Sequence, residues 1–517
     1  MYAELRENIK NFLLNHDLCS MCVLRYLGEK QQEVYCKLFE EWQHPHEPQR
    51  KRVQRTTCPS CLGILDPGFI FETFETVADA VALSSCTFDD FLLSISVPAV
   101  TLIRQRLVYL QLKSKFEYNF SEDSLATVKD CVKYVIGSLF EDEFKVQFCP
   151  AASFQVNIVL KGEFREAEHQ AIVKLSAKPK KKYKRNQKEE QEFSTKAITA
   201  FLQETSDEDF IREFKFPPES TSSPDAATAT CGHNQIYFAG RYCKFSRELS
   251  QTPWIIDGAR RMKDSVEELI TNVVKRFVRC GRITFSSSGR EDVDVRMLGE
   301  GRPFLLEVWS PKRIEWSAEE CAEIEEEINS STSDISVNRF QLINREQIKD
   351  LKTGEENKRK FYCAYCVTAK DTSTVDFSKL TSIDNVVLKQ NTPMRVLHRR
   401  TAMVRERTIH SASVEIQDAN HFKLTVCTQA GTYVKEFVHG DMGRTLPNVR
   451  TILAEQVDIE ALDVTHVDLD WPPDRVAATS QQQKPPEPTQ QQNRPEQIQA
   501  PRQLQQPVVM NGHSALV

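Results

Sequence analysis

Ser286-Ser-Ser-Gly-Arg-Glu-Asp-Val-Asp-Val-Arg296 reads as a turn between two short alternating runs. Ile283 and Phe285 alternate before it, and Val293 and Val295 alternate after it. Period two is the mark of a half-buried strand. Further out, Val266, Leu269, Ile270, Val273, Val274, Phe277 and Val278 recur at helical spacing, so an amphipathic helix is expected, stopped by Gly281. Downstream, Gly299-Glu-Gly301 reads as a second turn, followed by an apolar run from Phe304 to Val308. Ser317-Ala-Glu-Glu320 is a capping box opening an acidic, solvated helix through Ile328. Further strands are expected at 361–367, 395–410 and 423–427. Helices among antiparallel strands make this half α+β.

The whole chain has 517 residues, a prior of two to four domains. With 40% hydrophobic and 27% charged residues its composition is globular, neither fibrous nor wholly disordered. No run approaches the length of a membrane span. The opening MYAELRENIKNFLL carries charges where a secretory leader needs an apolar core. Fifteen cysteines are too sparse for a disulfide scaffold, so a reducing compartment is expected. A net charge of −6 argues against indiscriminate coating of nucleic acid but leaves local basic patches their role.

Composition divides the chain. From Gln481 to Val517 there are 11 Gln and 6 Pro, and residues 476–517 read as a disordered tail. Pro217 to Thr230 reads as a linker. Residues 1–216 and 231–475 then form the two ordered halves. Between Ala177 and Gln191, the stretch from Lys178 to Lys188 holds seven basic residues in eleven. It reads as a solvated loop, an RNA-backbone contact or a nuclear-import patch.

Cys19-Ser-Met-Cys22 and Cys58-Pro-Ser-Cys61 are two C-x-x-C pairs separated by 35 residues. Each can offer two thiolates to one tetrahedral zinc. The long spacing is explained by an inserted helix, for which Gly28 to Trp42 has the composition. Four thiolates leave no open position, so this zinc would be structural. A third pair, Cys363-Ala-Tyr-Cys366, falls in a predicted strand, where its side chains would face opposite ways.

No P-loop, G-x-G-x-x-G, G-x-S-x-G, H-E-x-x-H or kinase set is present, so an enzyme reading needs no organic cofactor. By composition alone, Gly289 to Arg296 could be a charged exposed turn. Two later segments change the weighting. They are Lys360-Phe-Tyr-Cys-Ala364 and Gly431-Thr-Tyr-Val-Lys-Glu-Phe-Val-His-Gly-Asp-Met-Gly-Arg-Thr445. With Gly289-Arg-Glu-Asp292 they resemble, in order, the three active-site motifs of pseudouridine synthases. Gly240-Arg-Tyr-Cys-Lys-Phe-Ser-Arg247, Gln251-Thr-Pro-Trp-Ile-Ile-Asp-Gly258 and Thr392-Pro-Met-Arg-Val-Leu-His-Arg-Arg400 extend the likeness. Together they resemble the archaeal and eukaryotic tRNA pseudouridine synthase of the T-loop type, family ten. Its members carry an N-terminal zinc-binding, THUMP-containing domain.

The resemblance implies an α+β, largely antiparallel catalytic domain over 231–475 and a zinc-binding, THUMP-like α/β docking domain over 1–216. It implies isomerisation of uridine in tRNA at positions 54 and 55, with Asp292 as the catalytic carboxylate. Tyr362 and Tyr433 would contact substrate, on a K-x-Y strand and a G-T-Y strand, with Tyr365 competing for the first role. Lys435 would face the aspartate. Arg290 would fill the space left by a flipped base, or contact phosphate, or simply face solvent. Cys19, Cys22, Cys58 and Cys61 would hold zinc. Arg395, His398, Arg399, Arg400, Arg405 and Arg407 crowd one predicted hairpin, an RNA-gripping loop or a solvated basic edge. The implied partner is tRNA, with other RNAs and partners of the tail left open, and the implied location is nucleus and cytoplasm. A non-catalytic RNA-binding adaptor is the alternative.

Overall fold

The computed structural model describes residues 2–43, 57–176, 193–219, 226–349, 351, 358–398 and 400–474. The basic run from Lys178 to Lys188, Arg399 and the Gln/Pro-rich tail lie outside these residues.

The C-terminal half is built on one ten-stranded sheet. Its order is Ile335–Ile343, Ile236–Lys244, Val295–Trp309, Val457–Val467, Lys360–Thr368, His421–Thr428, Val404–Ile416, Asp384–Asn391 and Thr445–Leu446, with Arg282–Ser287 also pairing Val295–Trp309. Every pairing among its described residues is antiparallel except one. Val295, Arg296 and Met297 run parallel to Leu462, Asp463 and Val464, at the middle of the sheet. The helices Val266–Val278, Ala318–Ser331 and Val434–His439 share one core with the sheet, through residues such as Val274, Ile324, Phe437, Phe304 and Val464. The first of these is the helix its apolar spacing predicts. The second begins on the expected capping box.

Two local readings are corrected. Gly299-Glu-Gly301 does not reverse the chain. Val295–Trp309 is one continuous strand; Met297 pairs with both Val464 and Lys244, and a bulge between Met297 and Arg302 bends the strand there. The bend needs glycine: Gly299 has φ +63°, and a Cβ on it would lie 2.1 Å from Thr465 O. Residues 395–410 are not one strand either. Met394–Val396 is a short 3₁₀ turn, and the strand begins at Val404.

The N-terminal half has its own sheet, ordered Gln147–Phe148, Asp90–Ser96, Phe154–Val159 and Thr228–His233. The first three strands are parallel neighbours and the last is antiparallel. Val128–Phe144 buries Cys131, Val135 and Phe140 in the core beneath the sheet. Residues 228–230, expected in the linker, and Cys231 to His233, expected to open the catalytic half, therefore complete the N-terminal sheet. Short sequence runs such as Thr-Ala-Thr carry no visible period, so pairing to Phe154–Val159 decides their state. No helix among the described residues is long and apolar enough to cross a membrane.

Candidate active site

The Gly289–Asp294 loop enters the sheet at the parallel seam, and its position is fixed from below by a buried polar network. Glu291 is fully buried. It accepts from Arg302 Nε at 2.8 Å and from Tyr242 OH at 2.8 Å. Arg302 also donates to Ser288 O at 2.8 Å. Gln251 Nε2 donates to Tyr242 OH, Ser287 Oγ and Gly289 O at 2.7, 2.8 and 2.9 Å. A buried carboxylate is tolerable only with such partners. Gly289 has φ +91°, and a Cβ there would lie 2.7 Å from Lys360 Nζ and 2.9 Å from Arg302 Nη1. The first glycine of the motif is thus required by both conformation and space.

With Glu291 turned inward, Asp292 faces the opening, its side chain 31% exposed. Its Oδ2 accepts from Arg395 Nη1 at 2.6 Å and lies 4.0 Å from Lys435 Nζ. Lys435 makes its close contact with Asp294 Oδ2 instead, at 2.5 Å. The cation expected to face Asp292 is therefore shared, and of the two Arg395 makes the closer contact. Arg395 groups by sequence with a basic hairpin read as an RNA-gripping loop or a solvated basic edge. Its turn folds back over the site and seats it on the buried carboxylate of Glu436, with Nε 2.7 Å from Oε1. Asp294 stays below the usual carboxylate range: burial opposes ionisation, but the Lys435 hydrogen bond and charge outweigh it.

The third motif also differs from its expected form. Gly431 and Thr432 close a turn, Thr432 Oγ1 donating to Gln429 O at 2.7 Å, and Val434–His439 is a short helix with Tyr433 at its N-cap. Val434, Phe437 and Val438 are buried at i, i+3 and i+4, a helical signal masked by the strand expectation. Gln390, itself buried, clamps Tyr433 by accepting from its N–H and donating to its C=O, both at 3.0 Å. Tyr362 does lie on a strand, Lys360–Thr368. Burial pushes its phenol up, and it lies near enough to Arg302 and Glu291 to feel their charges. Tyr365 reaches Arg296 instead. Arg290 is exposed, with no hydrogen bond or ion pair among the described residues.

Lys244 was not singled out by sequence. It is fully buried, and its Nζ donates to Val293 O, Leu249 O and Asp292 O at 2.7, 2.8 and 3.1 Å. Burial pushes it down to about 8, against the pull of Glu291, Asp294 and Asp292. Unfolded, the amine keeps its proton to about 10.5; folded, only to about 8. Between these values the unfolded chain binds more protons, so raising the pH stabilises the fold. Relative to Lys244→Met, the parent should gain up to ~3 kcal/mol from pH 8 to 10.5. Denaturant unfolding of both proteins across that range checks it; a constant difference would contradict the linkage.

In the N-terminal half, Cys19, Cys22, Cys58 and Cys61 converge, all four sulfurs within 4.8 Å of one another. The expected inserted helix is there, at Gln32–Gln43. Cys19 Sγ and Cys61 Sγ are 3.8 Å apart, about the edge of a tetrahedron with ~2.3 Å zinc–sulfur bonds. The surroundings also fit a metal. Arg25 is fully buried, and its hydrogen bonds go to Ala126 O, Gln105 Oε1 and Cys22 Sγ, with no carboxylate among them. Ionised sulfurs are the anions placed to balance that guanidinium. Among the described residues no other such cluster occurs, and Cys363 and Cys366 do not form one.

Comparison with known proteins agrees with the motifs. The family model described as Pus10, C-terminal, matches residues 237–468, and that of eukaryotic Pus10, N-terminal, matches residues 58–231. A tRNA pseudouridine synthase Pus10 of Xenopus laevis is 39% identical over 424 residues, covering 80% of this chain and 81% of the relative. The human protein of that name is 39% identical over 433 residues, covering 82% and 80%. The chain belongs to the Pus10 family. Its activity class is that of an isomerase, a pseudouridine synthase. A chain in the crystal structure of a Cbf5–Nop10–Gar1 complex aligns over 44% of this chain and 48% of its own, at 12% identity and a TM-score of 0.25, too low to bear on the Pus10 fold. The two family matches meet between residues 231 and 237, where the strand Thr228–His233 ends the N-terminal sheet.

Proposed function

We propose that this protein isomerises uridine to pseudouridine in the T loop of tRNA, at position 54, 55 or both, with Asp292 as the reacting carboxylate and no organic cofactor. The observation that carries this is the division between Glu291 and Asp292. One carboxylate is sunk into the framework and the next is presented at the opening between two cations. Uridine isomerisation breaks the N1–C1′ bond, turns the base and joins C5 to C1′. No water is consumed, so a second carboxylate for water activation is unnecessary. Asp292 either attacks C1′ or removes a sugar proton, in both cases as the carboxylate, which Arg395 and Lys435 face at 2.6 and 4.0 Å. Tyr362, kept neutral by burial, offers its ring for stacking on uracil and its hydroxyl for proton transfer. Tyr433, held by Gln390, is the second aromatic contact, and exposed Arg290 is free to occupy the space of the flipped base.

The N-terminal half, residues 1–216 together with the strand Thr228–His233, is assigned a THUMP-like docking role, with one structural zinc on the four cysteines. Retention of Asp292, Tyr362 and Lys435 together favours the enzyme over a non-catalytic adaptor. The test is incubation with unmodified tRNA transcript and mapping of pseudouridine. Modification confined to the T loop is expected; binding without modification would favour the adaptor.

A further inference from the structure

The geometry points to Arg395 and Glu436 as a positioning pair that holds Asp292 in its reactive orientation. This rests on the role proposed for Asp292 but concerns residues outside the G-R-x-D motif. Arg395 comes from the turn Met394–Val396, and Glu436 from the helix Val434–His439. The guanidinium spans both acids, with Nη1 on Asp292 Oδ2 at 2.6 Å and Nε and Nη2 on Glu436 at 2.7 and 3.4 Å.

Burial decides what Arg395 is doing there. The Glu436 side chain is only 2% exposed, and Arg395 supplies its ion pair. Were Arg395 to swing out and grip a phosphate, Glu436 would lose that partner in a dry setting, which is strongly unfavourable. Arg395 is therefore anchored, and its remaining edge addresses Asp292. Only a forked cation can serve two carboxylates in fixed directions; an ammonium is a point charge. Lys435 does not duplicate the function, since its close contact is with Asp294. Glu436 thus acts on Asp292 through Arg395, although its carboxylate never faces the opening.

The test compares the full-length parent with Arg395→Lys, Arg395→Met, Glu436→Gln and the Arg395→Met/Glu436→Gln double variant. Single-turnover pseudouridine formation at saturating tRNA and tRNA affinity are measured for each. Arg395→Lys keeps a charge beside Glu436, so it should fold even if Arg395→Met does not. Both arginine variants should slow the reaction on the order of 10- to 100-fold with affinity nearly unchanged. Glu436→Gln should slow it less, and the double variant should be no slower than Arg395→Met alone, because the two act in one chain of contacts. Weakened affinity with an unchanged rate would make Arg395 an RNA grip. A full rate in Arg395→Lys, or multiplicative losses in the double variant, would overturn the pairing. A parent that modifies no tRNA would instead refute the proposed function.

Discussion

Asp292→Asn is expected to abolish pseudouridine formation, by on the order of 10⁴-fold or more, while leaving folding and tRNA affinity close to the parent's. The amide is isosteric, so Arg395 keeps a hydrogen-bond acceptor and its pairing with Glu436. The loop beneath is held by Glu291 and by Lys244 contacts to backbone carbonyls, none of which needs the Asp292 carboxylate. What disappears is the charge that reacts with the sugar. Asp294→Asn should cost less than about tenfold, because an exposed ion pair contributes little. Its side chain is 63% exposed, and Lys435 still has Asp292 at 4.0 Å. Glu291→Gln is a third arm with a different signature. It breaks the charge balance with buried Arg302, so its loss should register in thermal stability as well as rate. Equal losses for Asp292 and Asp294, with Glu291 silent, would mean that the motif has been read out of register.

How far the sequence carried this site depends on the kind of signal each residue leaves. Asp292 stands in a short motif of fixed spacing, and the K-x-Y motif, within a run expected as a strand, places Tyr362. The framework under the loop left no such trace. Tyr242, Lys244 and Gln251 lie close together in the chain but fifty or more residues before Arg302, which they meet because Ile236–Lys244 and Val295–Trp309 are paired neighbours. Arg395 was misplaced because a dense basic stretch looks alike whether it faces RNA or a carboxylate; only the 3₁₀ turn separates it from the strand that follows. The fold was legible where apolar residues repeat, as in Val266–Val278. It was not legible where one glycine decides between a turn and a bend, as at Gly299, because both uses require positive φ. The strand Thr228–His233 shows the same limit, since its state depends on a partner some seventy residues earlier.

The freshly purified protein should contain one zinc per chain, and Cys58→Ser should lose it together with the stability of the N-terminal half. The argument starts from charge. Four thiols packed within 4.8 Å cannot all ionise without a cation among them, since four thiolates in a buried site repel strongly. If they stay protonated, Arg25 is left as a buried guanidinium whose partners are two neutral oxygens and a thiol. A divalent ion settles both problems. It ionises the sulfurs, leaving a net negative centre, and Arg25 at 3.5 Å from Cys22 Sγ then offsets part of that charge. Cys58 is already drawn well below the ordinary thiol range by hydrogen bonds from Cys19, Cys22 and Cys61. The site joins Ser20–Tyr26 to the segment before Pro67–Ser84, bridging elements whose side chains share the N-terminal core. Structural zinc sites supply on the order of 10 kcal/mol of binding free energy, comparable to a typical domain's whole stability. Removal of the metal by a strong chelator should therefore unfold the N-terminal half. The sheet and buried network around Asp292 use none of the four cysteines, so their unfolding transition should persist. Metal-free protein with an unchanged melting profile would show that the cluster is only a packed set of thiols.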